Sequence, residues 1–348
     1  MFDGAKIFIE NSPGIGDLIV LTPILREIKK RYPRSEITVA SWGTGLSFIS
    51  RVPYVDRVHH ISPSPMGRLR SLYRLKGMDY VVFNSCQPTL AQFARFLRVK
   101  HRAGNCKEKY FHTSLFTQPF PYTNNASAQQ YIIDYFAWKI GKGLQEELNI
   151  TDYQCDVSLP GEGEKRSLQA KLKSLGLGTE EYVVFSPFGN SCLQLKEETI
   201  ADVLEALKDR GCRVVLMGRR EGFDLGSLLK KYNMGAEGIY SLINRTTIPE
   251  MVALLEGASS CVMLDSGPLH VACALQKKTA GIFTNGNMPE WKPKYHCYDI
   301  CLNLECARPC GGKEACQEHG CREFSREFIR SRLEGFFGTE AAGSAPRA

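Results

Sequence analysis

At about 100 to 200 residues per domain, a chain of 348 residues suggests two domains, and 43% apolar with 23% charged residues excludes disordered and collagen-like classes. Lys and Arg number 44 against 37 Asp and Glu, a formal charge of +7 that suits phosphates, anionic headgroups or nucleic acid without choosing among them. No apolar run reaches the roughly 18 residues of a membrane span, and Asp3, Lys6 and Glu10 interrupt the stretch a signal peptide needs, so a cytoplasmic location is expected.

The first element is a β-rich run, Lys6 to Glu10, followed by the turn Asn11-Ser-Pro-Gly-Ile-Gly16. A helical pattern then runs from about Asp17 to Tyr32 with Leu18, Leu21, Leu25 and Ile28 on one face; Pro33 ends it, and Glu36 to Ser41 resumes as a strand. Further β-like runs at Val55 to Ile61 and Tyr80 to Asn84, with a helical stretch near Leu90 to Leu97, continue the alternating order of a parallel sheet covered by helices. This half reads as Rossmann-like.

From Asn149 to Gly163 periodicity fades and Thr151, Asp152, Pro160, Gly161 and Gly163 collect, as at a domain edge. A helix from Glu164 to Leu175 leads into a second strand-loop-helix-strand unit: Tyr182 to Ser186, Gly189-Asn-Ser191, Glu197 to Arg210, Cys212 to Gly218. Then follow a helix at Ile248 to Gly257, a buried-type strand Ser260 to Leu264, a helix from about Pro268 to Leu275, a strand Thr279 to Phe283 and a last helix Ser325 to Phe337. The expected organisation is an α/β pair of parallel-sheet domains, 1–155 and 156–324, the second holding a Cys-rich segment at 297–321. A C-terminal helix at 325–338 and a disordered tail at 339–348 complete it.

Two such halves facing one another would enclose a cleft, and ligands of open parallel sheets bind beyond the carboxyl ends of the strands. The loop Pro13-Gly-Ile-Gly-Asp17 puts permissive backbone and a carboxylate at that edge. Asp17 also reads as a plain helix N-cap worth about 1 kcal/mol. Ile19 stands where a dinucleotide fingerprint needs its third glycine, and no acid ends the second strand at Ala40-Ser41, so a nicotinamide cofactor is not expected. The stretch Leu264-Asp-Ser-Gly-Pro-Leu-His270 supplies a carboxylate, a hydroxyl, a glycine, a helix-starting proline and a first-turn histidine directly after an apolar strand. That pattern reads as a diphosphate cradle. The plainer alternatives are a capped helix with a packed histidine and, for Lys196, a solvated lysine.

Gly14-Ile-Gly-Asp-Leu-Ile-Val-Leu-Thr-Pro23, with Leu25-Arg-Glu-Ile-Lys-Lys-Arg-Tyr-Pro33 and Glu36-Ile-Thr-Val39, resembles the opening of glycosyltransferase family 9, the ADP-heptose heptosyltransferases. Asp265-Ser-Gly-Pro-Leu-His270 with Ala272 and Ala274 is similar to the family's second signature. The resemblance spans about residues 5 to 335 and is weakest from about 62 to 180. It implies the GT-B architecture of two facing Rossmann-like domains and an inverting displacement needing no metal. The first domain would take the acceptor and the second the nucleotide sugar.

Asp17 becomes the implied general base, a carboxylate with an ordinary pKa near 4. Gly16, Ser191, Lys196, Asp265, Ser266, Gly267 and His270 are the implied donor-binding residues, with Gly218 and Glu221 toward the adenosine. Glu221 also reads as a solvated loop charge. The chain departs from the family in having Leu195-Lys-Glu-Glu-Thr where a tryptophan and proline usually follow the donor-loop lysine. The implied donor is ADP-heptose and the implied acceptor a lipopolysaccharide inner-core saccharide. Arg57, Arg68 and Arg70, in a basic run with Arg74 and Lys76, would meet lipid A core phosphates or the inner-membrane surface. A solvated face is the alternative.

Thirteen cysteines without an export signal favour free thiols or metal ligands over disulfides. Cys306, Cys310, Cys316 and Cys321 stand in a C-x3-C-x5-C-x4-C pattern near Cys297, Cys301, His296 and His319. Four thiolates at that density suit a structural zinc or iron, with reduced or redox-sensitive thiols as the alternative. Competing functions are a transferase using another nucleotide sugar or a protein acceptor, and a nonenzymatic nucleotide-binding module with a metal knuckle. No aromatic-interleaved basic motif supports nucleic acid as a partner.

Overall fold

A computed structural model of the protein describes residues 3–62, 64, 71–85, 88–106, 113–121, 130–189, 194–284, 288–301 and 324–338. The chain divides into two compact units, Met1–Ser158 and Leu159–Ala348.

In the first unit β1 (Lys6–Glu10), α1 (Ile15–Ile19), α2 (Thr22–Arg31), β2 (Glu36–Ser41), β3 (Arg57–His60) and β4 (Tyr80–Phe83) are followed by α3 (Pro88–Phe96), β5 (His101–Cys106), β6 (Gln118–Pro121) and α4 (Ile132–Leu144). The strands form one sheet in the order β3-β2-β1-β4-β5-β6 with every neighbouring pair parallel. A parallel sheet covered on both faces needs strands that are apolar throughout, and Ile7, Phe8, Ile9, Val81, Val82 and Phe83 are all buried. The strand order reverses between β1 and β4, which opens a crevice at their carboxyl ends.

The single helix expected from Asp17 to Tyr32 is two helices. Thr22 Oγ1 donates to the Ile19 carbonyl at 2.7 Å, and Pro23 stands in the first turn of α2. Proline lacks the N–H that would carry α1 onward, so the chain restarts there. α4 approaches the sheet closely at Gly143, where a Cβ would come within 2.6 Å of Val82 Cγ2 and 3.0 Å of Ala103 Cβ.

The second unit runs α5 (Glu162–Ser174), β7 (Val183–Ser186), α6 (Glu197–Asp209), β8 (Val214–Leu216), α7 (Leu225–Lys231), β9 (Ile239–Ser241), α8 (Ile248–Gly257), β10 (Ser260–Leu264), α9 (Gly267–Ala274), β11 (Thr279–Phe283), α10 (Met288–Trp291), β12 (Cys297–Cys301) and α11 (Arg326–Gly338). Its parallel sheet, β12-β11-β10-β7-β8-β9, repeats the winding of the first and reverses between β7 and β10. Phe185, Val203, Leu207, Leu216, Val262, Ile282, Ile300, Ile329 and Leu333 belong to one core that joins this sheet to α6 and α11.

Two Rossmann-like domains of this kind make up the GT-B fold expected from the sequence. β5, β6, α4, α7, β9, α10 and β12 are elements that the sequence reading did not identify.

Candidate functional site

Each unit has one strand-order reversal, and the motif residues that the structure describes lie beside them. In the first unit β1 ends on Glu10, which is 0% exposed. It accepts hydrogen bonds from the Ser85 hydroxyl and, at 3.2 Å, from the Ser85 N–H beyond β4. Burial pushes its carboxyl up to about 7, opposed by the Ser85 hydrogen bonds, the Trp42 indole and the Lys139 ammonium.

Seven residues on, Asp17 lies in the first turn of α1. It is not the cap: the N-cap position is Gly14, with no side-chain cap bond. The carboxylate folds back over Gly14 instead, where any Cβ would overlap Asp17 Oδ2. Burial raises the Asp17 pKa to about 6, opposed by hydrogen bonds from its own backbone and Ser12 and by Lys139. The sequence suggested an ordinary carboxylate near 4; burial makes this one a stronger base.

Lys139 comes from α4 and is 4% exposed. Its Nζ donates to the Asn84 carbonyl at 3.2 Å and lies 4.5 Å from the centre of the Tyr135 ring. Burial lowers its pKa to about 8, opposed by the charges of Glu10 and Asp17. From Asn84 a hydrogen-bond path leads back to α1. Asn84 Nδ2 donates to Asn11 Oδ1 at 2.8 Å, and Asn11 Nδ2 donates to the Asp17 carbonyl at 2.8 Å.

In the second unit Asp265, Ser266 and His270 connect β10 to the start of α9. Burial alone pushes the Asp265 carboxyl up to about 6. Ser266 occupies the N-cap position in an extended conformation without capping; its hydroxyl donates to the Leu264 carbonyl at 3.0 Å. The side-chain-capped reading therefore fails here; of the first amides of α9, Pro268 has none and Leu269 N donates to the Ser266 carbonyl at 3.0 Å.

His270 is 3% exposed and its ring meets Trp291 edge-on with centroids 5.9 Å apart. Burial lowers its pKa to about 4, so the imidazole is neutral at pH 7. Gly189, after β7, brings a second loop against this one. A Cβ there would stand 3.0 Å from Ser266 Cβ and 3.4 Å from the Asp265 carbonyl. Gly218 has φ +136° and backs onto Phe188, a conformation open to glycine. Asn244 fixes the turn beyond it: Arg220 N donates to Asn244 Oδ1 and Asn244 Nδ2 to the Arg220 carbonyl, both at 2.9 Å.

The remaining expected residues divide by location. Gly16 sits within α1, its carbonyl accepting from Val20 N at 3.0 Å. Gly267 opens α9, Lys196 is the exposed N-cap residue of α6, and Glu221 is exposed. Arg57 opens β3 and pairs with Glu36, the first residue of β2, at 3.6 Å. That is the amino edge of the sheet, opposite the edge that carries Asp17, so Arg57 does not join the Asp17 cluster. Arg68, Arg70, Ser191, Cys306, Cys310, Cys316, Cys321 and the tail at 339–348 lie outside the described residues. Among the described residues no group of three or more His, Cys, Asp or Glu could hold a metal ion.

Sequence reading missed Glu10, Lys139, Ser85 and the two asparagines. A signal existed for the first two. Glu10 is a charge ending an otherwise apolar strand, and Lys139 stands in the aromatic helix IIDYFAWKIGKGL. A charge in such a place is either paired or functional.

The family model for glycosyltransferase family 9 (heptosyltransferase) matches residues 90–320. Lipopolysaccharide heptosyltransferase 3 of Escherichia coli strain K12 is 23% identical over 292 residues, covering 80% of this chain and 82% of that protein. The structure of E. coli ADP-heptose lipopolysaccharide heptosyltransferase II superposes with a TM-score of 0.71 at 18% identity, covering 95% and 98% of the two chains. The iron-containing dodecameric glycosyltransferase TibC of enterotoxigenic E. coli H10407 gives a TM-score of 0.58 at 12% identity, covering 96% of this chain and 79% of that one. With two sheets of identical winding and a family match across most of its length, the chain belongs to glycosyltransferase family 9 and is a glycosyltransferase of the heptosyltransferase kind.

Proposed function

We propose that the protein transfers a heptose from ADP-heptose, with inversion, to a saccharide hydroxyl of the lipopolysaccharide inner core. The observation that carries this reading is Asp17, a half-buried residue folded back over Gly14, with its carboxyl pKa raised, at the strand-order reversal of one unit. The other unit has an uncapped helix start beside Asp265 and His270 at its own reversal. Asp17 takes the proton of the acceptor hydroxyl as that oxygen attacks the anomeric carbon. The bond from that carbon to the diphosphate breaks, and its electron pair leaves on ADP. Negative charge therefore grows on the departing diphosphate, and the positive end of the α9 dipole at Gly267 meets it together with Ser191 and Lys196. Neutral His270 with Asp265 and Ser266 takes the sugar and the phosphates, Gly16 is a further donor-binding residue, and Gly218 and Glu221 take the adenosine.

The E. coli K12 relative is a lipopolysaccharide heptosyltransferase, and the solved relative is an ADP-heptose lipopolysaccharide heptosyltransferase. Both support this donor and this class of acceptor. The test combines binding, turnover and cell chemistry. ADP should raise the melting temperature more than UDP or GDP. Asp17→Ala should abolish transfer while ADP binding persists. Mass spectrometry of lipopolysaccharide from a deletion strain should show a missing heptose. A Asp17→Ala variant that still turns over, or a preference for UDP, overturns the reading.

Transfer is proposed to need no metal. Cys306, Cys310, Cys316 and Cys321 are proposed to hold a structural zinc or iron through soft thiolates, and the iron-containing TibC supports that choice. The flanks suit such a staple, since Ile300 and Phe324 on either side of the segment are both buried in the same core. The enzyme is proposed to work in the cytoplasm at the inner-membrane surface. Among the described residues no helix is long and apolar enough to cross a membrane. Arg68 and Arg70, with Arg74, Lys76 and the exposed Tyr73, form the basic, aromatic segment that would meet phosphorylated lipid.

A further inference from the structure

We propose that an open groove along α4 in the first unit is a binding site for a neutral oligosaccharide, built on the exposed ring of Trp138 and a set of amide side chains around it. None of the described residues that line it belongs to the Asp17 or Asp265 clusters. Such a site is noncatalytic and holds a glycan whether or not Asp17 is the base.

The groove has a volume of about 900 Å3, inside the range of roughly 300 to 1,000 Å3 usual for ligand sites. Asp134, Trp138, Gly141 and Gln145 line it from α4, at spacings of three and four residues that place them on one helix face. At 1.5 Å per residue that stripe runs for about 16 Å, longer than a single sugar ring. Gln118, which opens the edge strand β6, lines it as well, as do Glu146, Glu147, Asn149 and Tyr153 from the segment after the helix.

Trp138 is 37% exposed on a helix whose other large apolar side chains are buried. Its ring is nonetheless held in place: Tyr135 stacks on it with centroids 6.2 Å apart and planes 16° apart, and Phe120 of β6 meets it at 6.2 Å. A fixed indole offers an apolar, electron-rich face, and the C–H face of a pyranose is its complement. Gln118, Gln130, Gln145 and Asn149 bring amides that both donate and accept, as every sugar hydroxyl does. Asp134 adds a carboxylate of set orientation, since the Tyr153 hydroxyl donates to its Oδ1 at 2.7 Å and Tyr131 holds the Tyr153 ring edge-on at 5.3 Å.

Charge narrows the ligand class. Asp134, Glu146 and Glu147 outnumber Lys142 in the lining, although the chain as a whole carries +7. A groove of that sign disfavours phosphates and nucleotides, which leaves an uncharged, hydroxyl-rich chain as the ligand its side chains fit.

The tryptophans supply the test. The chain has three: Trp42 beside Glu10, Trp138 in the groove and Trp291 against His270. Fluorine NMR of the full-length protein labelled with fluorotryptophan therefore reads the three places separately, with each line assigned by its loss in the matching Trp→Phe variant. The probes are the neutral gluco-, galacto- and manno-pentasaccharides. At least one should move the Trp138 line saturably, with a midpoint at or below about 1 mM, and leave the Trp42 and Trp291 lines in place. Gln145→Gly/Asn149→Ala removes two exposed amides, and glycine suits the left-handed backbone of Gln145 (φ 57°), so the fold should melt as before. Its midpoint should rise about tenfold or more. A phosphorylated form of the same pentasaccharide should bind more weakly than the neutral one. A Trp138 line that none of the three sugars moves, three lines that move alike, a midpoint indifferent to the double substitution, or tighter binding of the phosphorylated probe overturns the assignment.

Discussion

Asp265 shows what enclosing a carboxylate without a neighbouring cation does to stability. Its folded pKa of about 6 lies above an unfolded value near 4, so the native state holds an extra proton between those pH values. Stability from this group is therefore present below about pH 4 and lost as pH rises toward 6, a penalty on the order of 2 kcal/mol at pH 8. Asp265→Asn should resist urea better than the parent at pH 8 and equally at pH 4, while binding the nucleotide sugar more weakly. An equal difference at both pH values would show that ionisation is not the cause. The positions of Asp17, Asp265 and His270 beside strand ends were legible because each stands in a short run of glycine, proline and polar residues next to an apolar strand. Glu10 and Lys139 were not, because one charge inside an apolar pattern carries no spacing that announces a partner more than a hundred residues away.

Among the elements, α8 begins the second unit's clearest capping arrangement. Thr247 N donates to Glu250 Oε2 at 2.7 Å while Glu250 N reaches Thr247 Oγ1 at 3.4 Å. The same carboxylate binds Lys171 and Ser167 of α5. Burial would raise the Glu250 pKa, but the Lys171, Ser167 and Thr247 hydrogen bonds outweigh it and bring the group down to about 2. Its contribution is thus fully present above the unfolded value near 4.3 and disappears as pH falls toward 2. Glu250→Gln should lose about 1 to 2 kcal/mol at pH 7, allowing for solvent screening, and nothing at pH 2. Urea unfolding at the two pH values checks it, and a loss independent of pH would point to packing instead.

Legibility followed apolar patterning more than sheet position, since the edge strand β3 was read and the interior strand β5 was missed. Central strands β1, β4, β7 and β10 stood out as apolar runs, whereas β6, β9 and β12 are edge strands, short and mixed in polarity. β6 reads Gln-Pro-Phe-Pro, which an edge tolerates and a sequence pattern rejects. α4 was hidden by its late glycines, Gly141 and Gly143, which lower helix propensity yet let it seat against the sheet.

At the scale of the whole chain, each compact unit carries its own sheet and its own reversal, so the donor and acceptor sites proposed for them would rest on separately built cores. The staple proposed between β12 and α11 belongs to the second core alone. Chelation or Cys310→Ser should therefore lower the melting transition that ADP raises and leave the other transition in place, as scanning calorimetry with elemental analysis would show. A protein purified without metal that melts identically refutes the staple.

The buried placement of Lys139 beside Glu10 also decides how the enzyme answers to its surroundings. Mobile ions screen exposed charges within about 10 Å at 0.1 M salt but scarcely reach an enclosed pair. Brine should weaken the lipid contact proposed for Arg68 and Arg70 while leaving the proposed base little changed, so that ionic strength would separate docking from chemistry.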